Sequence, residues 1–249
     1  LHNHARMWFA GWWIHVERLP WQLGAHFFFK NLLDADPASN TLSWRWVAGL
    51  QTPGKTYLPR RSNIEKYMSP DLLDTLQEGL EILERPTAVH PEAVERERIT
   101  HPGPDPETLP DNRNAGIWVH EEDLLPEASP LSPLKPKAVL VSGNSEAWEK
   151  FDFGGPKRKW LMAALEDVRL RAENHFRVSP EIVTQTHQLQ SITKWARREK
   201  LRQVVALRPQ VGPLADLIPS IRQELASHDV ELLLLDRAKD RAARSLATG

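Results

Sequence analysis

The chain has 249 residues, 41% of them hydrophobic and 26% charged, which is enough for one large domain or two ordinary ones. A formal net charge of −1 gives no global basic field, so any contact with nucleic acid must come from a local patch. The chain has no cysteine, which excludes disulfides, zinc–thiolate clusters and thiol catalysis and fits a reducing cytoplasm, and no membrane-length apolar run or signal peptide is visible.

Residues 1–84 read as helical. The chain opens on Leu1 inside a helical pattern with no cap ahead of it and stops at SLATG, so it reads as an internal piece of a longer protein. In ARMWFAGWWIHV, Met7, Phe9, Ala10, Trp13, Ile14 and Val16 form a wide apolar surface, as in a helix buried on most sides. The next helix has Pro20 at its first position and carries Leu23, Phe27, Phe28, Leu32 and Leu33 at helical spacing. Asp36 and Ser39 offer caps for a helix over TLSWRWVAG, and SPDLLDTLQEGLEILE predicts an amphipathic helix with Ser69 as N-cap and Pro70 at N1. Six of the ten tryptophans (Trp8, Trp12, Trp13, Trp21, Trp44, Trp46) lie in the first fifty residues. Two explanations stay open: a thick aromatic core, or a stacking or electron-transfer site.

Residues 85–137 hold half of the 20 prolines. That composition predicts a linker without a packed core, with a short strand and helix over AGIWVHEEDLL inside it. From residue 138 apolar runs alternate with helical patterns. KAVLVSG, EIVTQ, RQVVALR and VELLLLD read as strands, and PKRKWLMAALEDVRLRAENHF, THQLQSITKWARREK and PLADLIPSIRQELASH as helices. Continuous apolar strands separated by helices predict an open parallel sheet of at least four strands, helices on both faces. The fold class is therefore multi-domain, α and α/β: helical over 1–84, a proline-rich linker over 85–137, and a Rossmann-like region over 138–249. The basic stretches PKRKW and KWARREKLR read as amphipathic helix faces, and the histidines show no metal-ligand spacing.

GLQTPGKT, residues 49–56, fits the Walker A string G-x-x-x-x-G-K-[ST]. A phosphate-binding loop needs a buried strand before it and a helix straight after it. Here SNTLSWRWVA suits a helix, and Pro59 breaks any helix begun after Thr56. The string is read as a decoy.

Its flanks carry another signal. HNHARM, LPWQLG and LLDADPASNTLSWRW, in that order and spacing, resemble the helical FAD-binding domain of the DNA photolyase/cryptochrome family over residues 2 to 67. The resemblance implies bound FAD and light-driven electron transfer to a pyrimidine dimer in damaged DNA. It implies cofactor-binding roles for Asn3, Arg6, Asp34, Asp36 and Asn40, with Arg6 and Asp34 an ion pair over the flavin ring and Asn40 facing flavin N5. A neutral amide at Asn40 favours the photolyase-like reading over plant-type cryptochrome, where an acid stands. Trp44 resembles the proximal and Trp21 the middle member of the family's electron-transfer chain. Met7 and Trp46 match the lesion pocket; for Arg45, Lys55, Arg60, Arg61 and Lys66 two readings stay open, contact with DNA phosphates or solvated surface charge. Trp8, Trp12 and Trp13 match no role and read as core.

This sequence departs from the family at TLS, between Asn40 and Trp44, and over QTPGKTYLPRRSNIEKY after WRW. The family's loop for the FAD phosphates lies upstream of these motifs. Residues 138–249 are similar to the family's antenna-binding domain only in α/β character, and there the order of the two parts is reversed. The expected function is a deoxyribodipyrimidine photo-lyase-like carbon–carbon lyase, cytoplasmic and monomeric, with damaged DNA and an antenna chromophore as partners. The alternatives are a blue-light photoreceptor of cryptochrome type and a non-catalytic flavin- or nucleic-acid-binding protein.

Overall fold

In the computed structural model, which describes residues 1–52, 55–76, 78–92, 114–184 and 187–246, the chain divides into two units, Leu1–Ile99 and Thr100–Gly249. The first is helical: α1 (Asn3–Gly11), a π-helical turn (Trp12–Val16), α2 (Trp21–Asn31), α3 (Pro37–Val47), α4 (Arg61–Tyr67) and α5 (Pro70–Thr75). Its core gathers Ala10, Ile14, Ala25, Phe28, Trp44, Val47 and Ala48, apolar positions three and four residues apart on facing helices. Trp13 packs on this core, but Trp12, expected inside, is 38% exposed. The switch to the wider π turn at Trp12, marked by the Glu17 N–H donating to Trp12 O at 3.0 Å, changes the face that each tryptophan presents.

Local signals explain the helix ends. Asp36 caps α3, its Oδ1 accepting the Ser39 N–H at 2.7 Å, and Pro37 follows at a position where no N–H is needed. Pro20 stands at the N-cap of α2, one residue before the place expected. The helix expected over SPDLLDTLQEGLEILE stops after Thr75, and a 3-10 turn follows at Leu80–Leu83. Gly79, at φ 101°, holds a left-handed backbone that no α-helix can run through. At the end of α3, Gly49 N–H donates to Trp46 O at 3.1 Å and Leu50 N–H to Arg45 O at 2.9 Å, a Schellman motif with Gly49 at φ 78°. Buried His15 ties the π turn to the same helix end. Its Nδ1 accepts the Val89 N–H at 3.1 Å, so the proton sits on Nε2, which donates to Val47 O at 3.2 Å. Burial pushes the pKa of His15 down and keeps the ring neutral.

The second unit is a five-stranded parallel sheet in the order β3-β2-β1-β4-β5, with β1 Ala115–His120, β2 Ala138–Ser142, β3 Glu181–Val183, β4 Gln203–Leu207 and β5 Glu231–Leu235. Between and after the strands run α6 (Ser145–Lys150), α7 (Gly155–Phe176), α8 (Gln188–Arg198), α9 (Pro213–Ala226) and α10 (Ala238–Leu246). The α/β expectation holds here, and Gln185 of EIVTQ lies outside the described residues. The expected boundary at 137/138 does not hold, because AGIWVH is the central strand and all six of its residues are buried. The prolines around it obscure a strand whose apolar run is as continuous as those of β2 and β4. Residues 114–137 are not core-free either: Leu131 is buried, and Asp123 receives a forked ion pair from Arg237 at 2.6 and 2.7 Å. Residues 93–113 of the expected linker lie outside the described residues.

Helices cover both faces of the sheet. A Cβ on Gly116 would stand 2.6 Å from the Trp195 ring of α8, while one on Gly143 would stand 2.9 Å from Leu165 of α7 on the opposite face. The basic stretches are helix faces as expected. Lys157 of PKRKW is buried over the Phe153 ring at 4.0 Å, and Trp195 of KWARREK belongs to the core.

Candidate functional site

The N-terminal unit contains a cavity of about 830 Å³, within the usual range of about 300–1,000 Å³ for ligand pockets. One wall is the face of α1 bearing Asn3, Arg6, Met7 and Ala10, spaced i, i+3, i+4 and i+7. The opposite wall is the face of α3 bearing Asn40, Ser43, Trp44 and Val47 at the same spacing, with Trp46 on its flank. Phe28 of α2, Leu32 just past its end and the Asp34–Asp36 turn add to the lining. Eight residues expected at the site from the sequence therefore share one cavity: Asn3, Arg6, Met7, Asp34, Asp36, Asn40, Trp44 and Trp46.

Each polar member is oriented. Arg6 Nη2 donates to both oxygens of Asp34, at 3.1 and 2.8 Å, and Arg6 Nε donates to Leu1 O at 2.9 Å. The Arg6 guanidinium holds the Asp34 carboxyl below its ordinary pKa, so the pair is ionised at neutral pH. Asn3 Nδ2 lies 3.4 Å from the Met7 sulfur, one turn on. Asn40 Nδ2 donates to Ala25 O of α2 at 2.7 Å, which fixes the plane of the amide. Asp36 uses one carboxylate oxygen as the cap of α3.

Trp44 is only 1% exposed and sits edge-on to Phe9, Trp13 and Phe28 at centroid distances of 6.4, 6.3 and 5.0 Å. Gly24 makes this position possible, because a Cβ there would overlap the six-membered ring of the indole. Trp44 Nε1 is buried without a hydrogen-bond partner among the described residues, a donor that a bound polar ring can satisfy. Trp46 is 37% exposed and stacks on Tyr57 at 5.6 Å.

The remaining expected residues lie outside this lining. Trp21 packs on the same core as Trp44, with no ring contact between the two among the described residues. Arg45, Lys55, Arg60 and Arg61 do not line the cavity. Arg61 is engaged by Glu65 at 2.7 Å and Glu84 at 3.2 Å, whereas exposed Lys55 and Arg60 have no ion pair among the described residues. Ser43, Gln51 and Leu42 also line the cavity and were not expected. Ser43 was within reach of helical spacing, three residues after Asn40. Gln51 arrives through a loop that leaves no sequence signal.

Among the described residues no cluster of metal-ligating side chains occurs, and no helix is long and apolar enough to cross a membrane. Residues 1–70 match the family model described as the FAD binding domain of DNA photolyase. A deoxyribodipyrimidine photo-lyase of Agrobacterium fabrum is 45% identical over 49 residues, which are 20% of this chain and 10% of that protein. One of Streptomyces griseus is 42% identical over 52 residues, 21% of this chain and 11% of the relative. Cryptochrome-1 of Arabidopsis thaliana is 37% identical over 49 residues, 20% of this chain and 7% of the relative. The chain thus spans about a tenth of the length of these relatives. No solved structure matches it. The match and the cavity meet on the same residues: the stretch similar to the FAD binding domain of DNA photolyase, a domain whose cofactor is FAD, is the stretch that lines the cavity.

Proposed function

We propose that the chain is part of a flavoprotein that repairs pyrimidine dimers in DNA under blue light. The observation that carries this reading is the convergence of Asn3, Arg6, Asp34, Asp36, Asn40, Trp44 and Trp46 on one cavity. The flavin, when bound, supplies light-driven one-electron chemistry. The protein's part is to hold, orient and exclude water. Arg6 and Asp34 place compensating charges beside the ring, and Asn40, held by Ala25 O, keeps its oxygen and second N–H for it. Trp44, buried in an aromatic cluster, is the electron donor that resupplies the cofactor, with Trp21 the next member of the path. Trp46 and Met7 form the side that receives an extruded dimer, which needs a flat apolar platform. Lys55 and Arg60 are the cations available to DNA phosphates, and Arg45 is a third. Arg61 meets phosphate only in competition with Glu65 and Glu84.

The similarity to a cryptochrome supports a second reading, photoreception without repair. Blue-light repair of an oligonucleotide carrying one thymine dimer separates the two in the full-length, flavin-loaded protein. Repair abolished by Trp46→Ala and by Asn40→Ser supports the lyase. A light-responsive flavin with no repair in the unaltered protein supports the photoreceptor. A preparation without flavin absorbance in the blue sinks both.

A further inference from the structure

We infer that Tyr57 and Asn63 are positioning residues that set the ring of Trp46 at the cavity wall; the inference rests on the reading of Trp46 given above. Trp46 sits in the last turn of α3 and is more than a third exposed, so its own helix does not fix its ring. Tyr57 supplies the missing surface, with centroids 5.6 Å apart and planes 29° from parallel. Tyr57 belongs to no regular element, so something must hold it in turn. Its hydroxyl donates to Asn63 Oδ1 at 3.3 Å, and that same oxygen accepts Trp8 Nε1–H at 2.9 Å. One side-chain oxygen at the start of α4 thereby ties α1, through Trp8, to the segment that carries Tyr57.

The described residues next to Trp46 and Tyr57 help to bring the two together. Gly49 turns the chain out of α3 at φ 78°, and Lys55 N–H donates to Thr52 O at 3.1 Å. A Cβ at Gly49 would overlap Thr56 Oγ1, so the absence of a side chain lets residue 56 come back against the helix end, next to Tyr57. The sequence of causes runs from Asn63 through Tyr57 to Trp46. An aromatic platform held in place before its ligand arrives loses less rotamer freedom on binding than a free one.

The test uses the full-length protein in the dark, with an oligonucleotide carrying one thymine cyclobutane dimer and the same strand undamaged as probes. The variants are Tyr57→Phe, Tyr57→Ala, Asn63→Asp, Asn63→Leu and Trp46→Ala. Tyr57→Ala and Asn63→Leu are expected to weaken dimer binding roughly 3- to 10-fold while leaving the undamaged strand and the flavin content unchanged. Asn63→Asp keeps an oxygen that accepts both donors and is expected to bind as the unaltered protein does. Tyr57→Phe, which keeps the stack and loses its anchor, falls between. A second readout needs no DNA: acrylamide quenching of Trp46 emission, taken as the difference from Trp46→Phe in each background, should rise in Tyr57→Ala and Asn63→Leu. Unchanged quenching in both variants overturns the inference whatever the DNA does. So does dimer binding that falls in Trp46→Ala but not in Tyr57→Ala. If Trp46→Ala itself binds the dimer normally, the lesion-side role of Trp46 is lost. Positioning then stands or falls on the quenching alone.

Discussion

Gly24→Ala tests whether the buried indole of Trp44 is held by the backbone of α2. A Cβ at residue 24 would stand 3.0 Å from Cζ2 of Trp44 and nearer still to Cη2 and Cζ3. Carbon atoms in contact settle at roughly 3.5–4.0 Å, so the ring must withdraw by on the order of 1 Å. Phe9, Trp13 and Phe28 already stand in T-shaped contact with it, and the cavity borders it, so the ring moves against these neighbours or into the cavity. Overpacking of this kind costs about 1–3 kcal/mol, and here the displaced ring also narrows the cavity proposed to hold the flavin. The expected result is a lower urea midpoint with an unchanged slope, an altered near-UV circular dichroism spectrum and reduced FAD content. Trp44→Phe removes the clashing ring, so the double variant Gly24→Ala/Trp44→Phe should be more stable than the two single losses sum to, by about 1 kcal/mol or more. Additive losses would show that Gly24 and Trp44 do not meet as described. An unaltered near-UV spectrum in Gly24→Ala would do the same.

Asp34→Asn is expected to change stability by less than about 1 kcal/mol, since the Asp34 side chain is 65% exposed, yet to lower flavin retention, read by absorbance after gel filtration. The carboxyl's pKa is depressed by Arg6, so the pair's contribution is present above the unfolded carboxylate value and is lost as pH falls through the depressed folded one. Retention in the unaltered protein should therefore persist at pH values where a free carboxylate already takes up protons. His15 titrates in the opposite chemical sense with the same slope. Its folded pKa lies below the ordinary histidine value, so its contribution is full above that value and declines as pH falls from there toward the folded one. Urea midpoints measured through this window should fall less steeply in His15→Gln than in the unaltered protein, and parallel curves would refute the burial argument. His90 adds to the shift, whereas the carbonyls of Val47 and Tyr57 oppose it. Gly49→Ala combines a φ of 78° with overlap on Thr56 Oγ1, for an expected loss of about 1–2 kcal/mol in thermal or urea unfolding. Thr56→Ala should recover the steric share and leave the backbone share.

Helix α3 was the most legible part of the chain, because a cap at Asp36, Pro37 after it and an apolar seam through Trp44 and Val47 all point to one answer. The candidate site was legible through another route, the resemblance of its three motifs to one family. Asn3, Arg6 and Met7 on one helix and Asn40 and Trp44 on another then prove to occupy helical spacings, and the two faces line one cavity. What escaped depended on non-local packing. Trp13 carried no motif, yet the π turn brings it against Trp44. Tyr57 and Asn63 matter through an oxygen shared between segments 55 residues apart in sequence, which no local pattern encodes. Strand β1 was expected, but its place in the sheet was hidden by composition. Its proline-rich surroundings argued for a linker, while the six residues themselves are an ordinary central strand.

The Walker-like string shows how the same letters can answer to different physics. A phosphate cradle needs free backbone N–H groups pointing into one concavity. Here Gly49 N–H and Leu50 N–H are consumed by the carbonyls of Trp46 and Arg45 at the end of α3, and Lys55 N–H by Thr52 O. The segment before the string is a helix rather than a strand, and among the described residues the next helix starts at Arg61. Each letter that can be followed has its own local cause. Gly49 supplies the positive φ of the helix stop, Thr56 fits where Gly49 has no side chain, and Lys55 is an exposed cation on the returning segment. Pro53 and Gly54 lie outside the described residues. The described ends of the string thus serve the stop of α3 and the stack of Tyr57 on Trp46. The glycine, lysine and threonine coincide with a nucleotide motif because a tight return demands a glycine and tolerates polar residues.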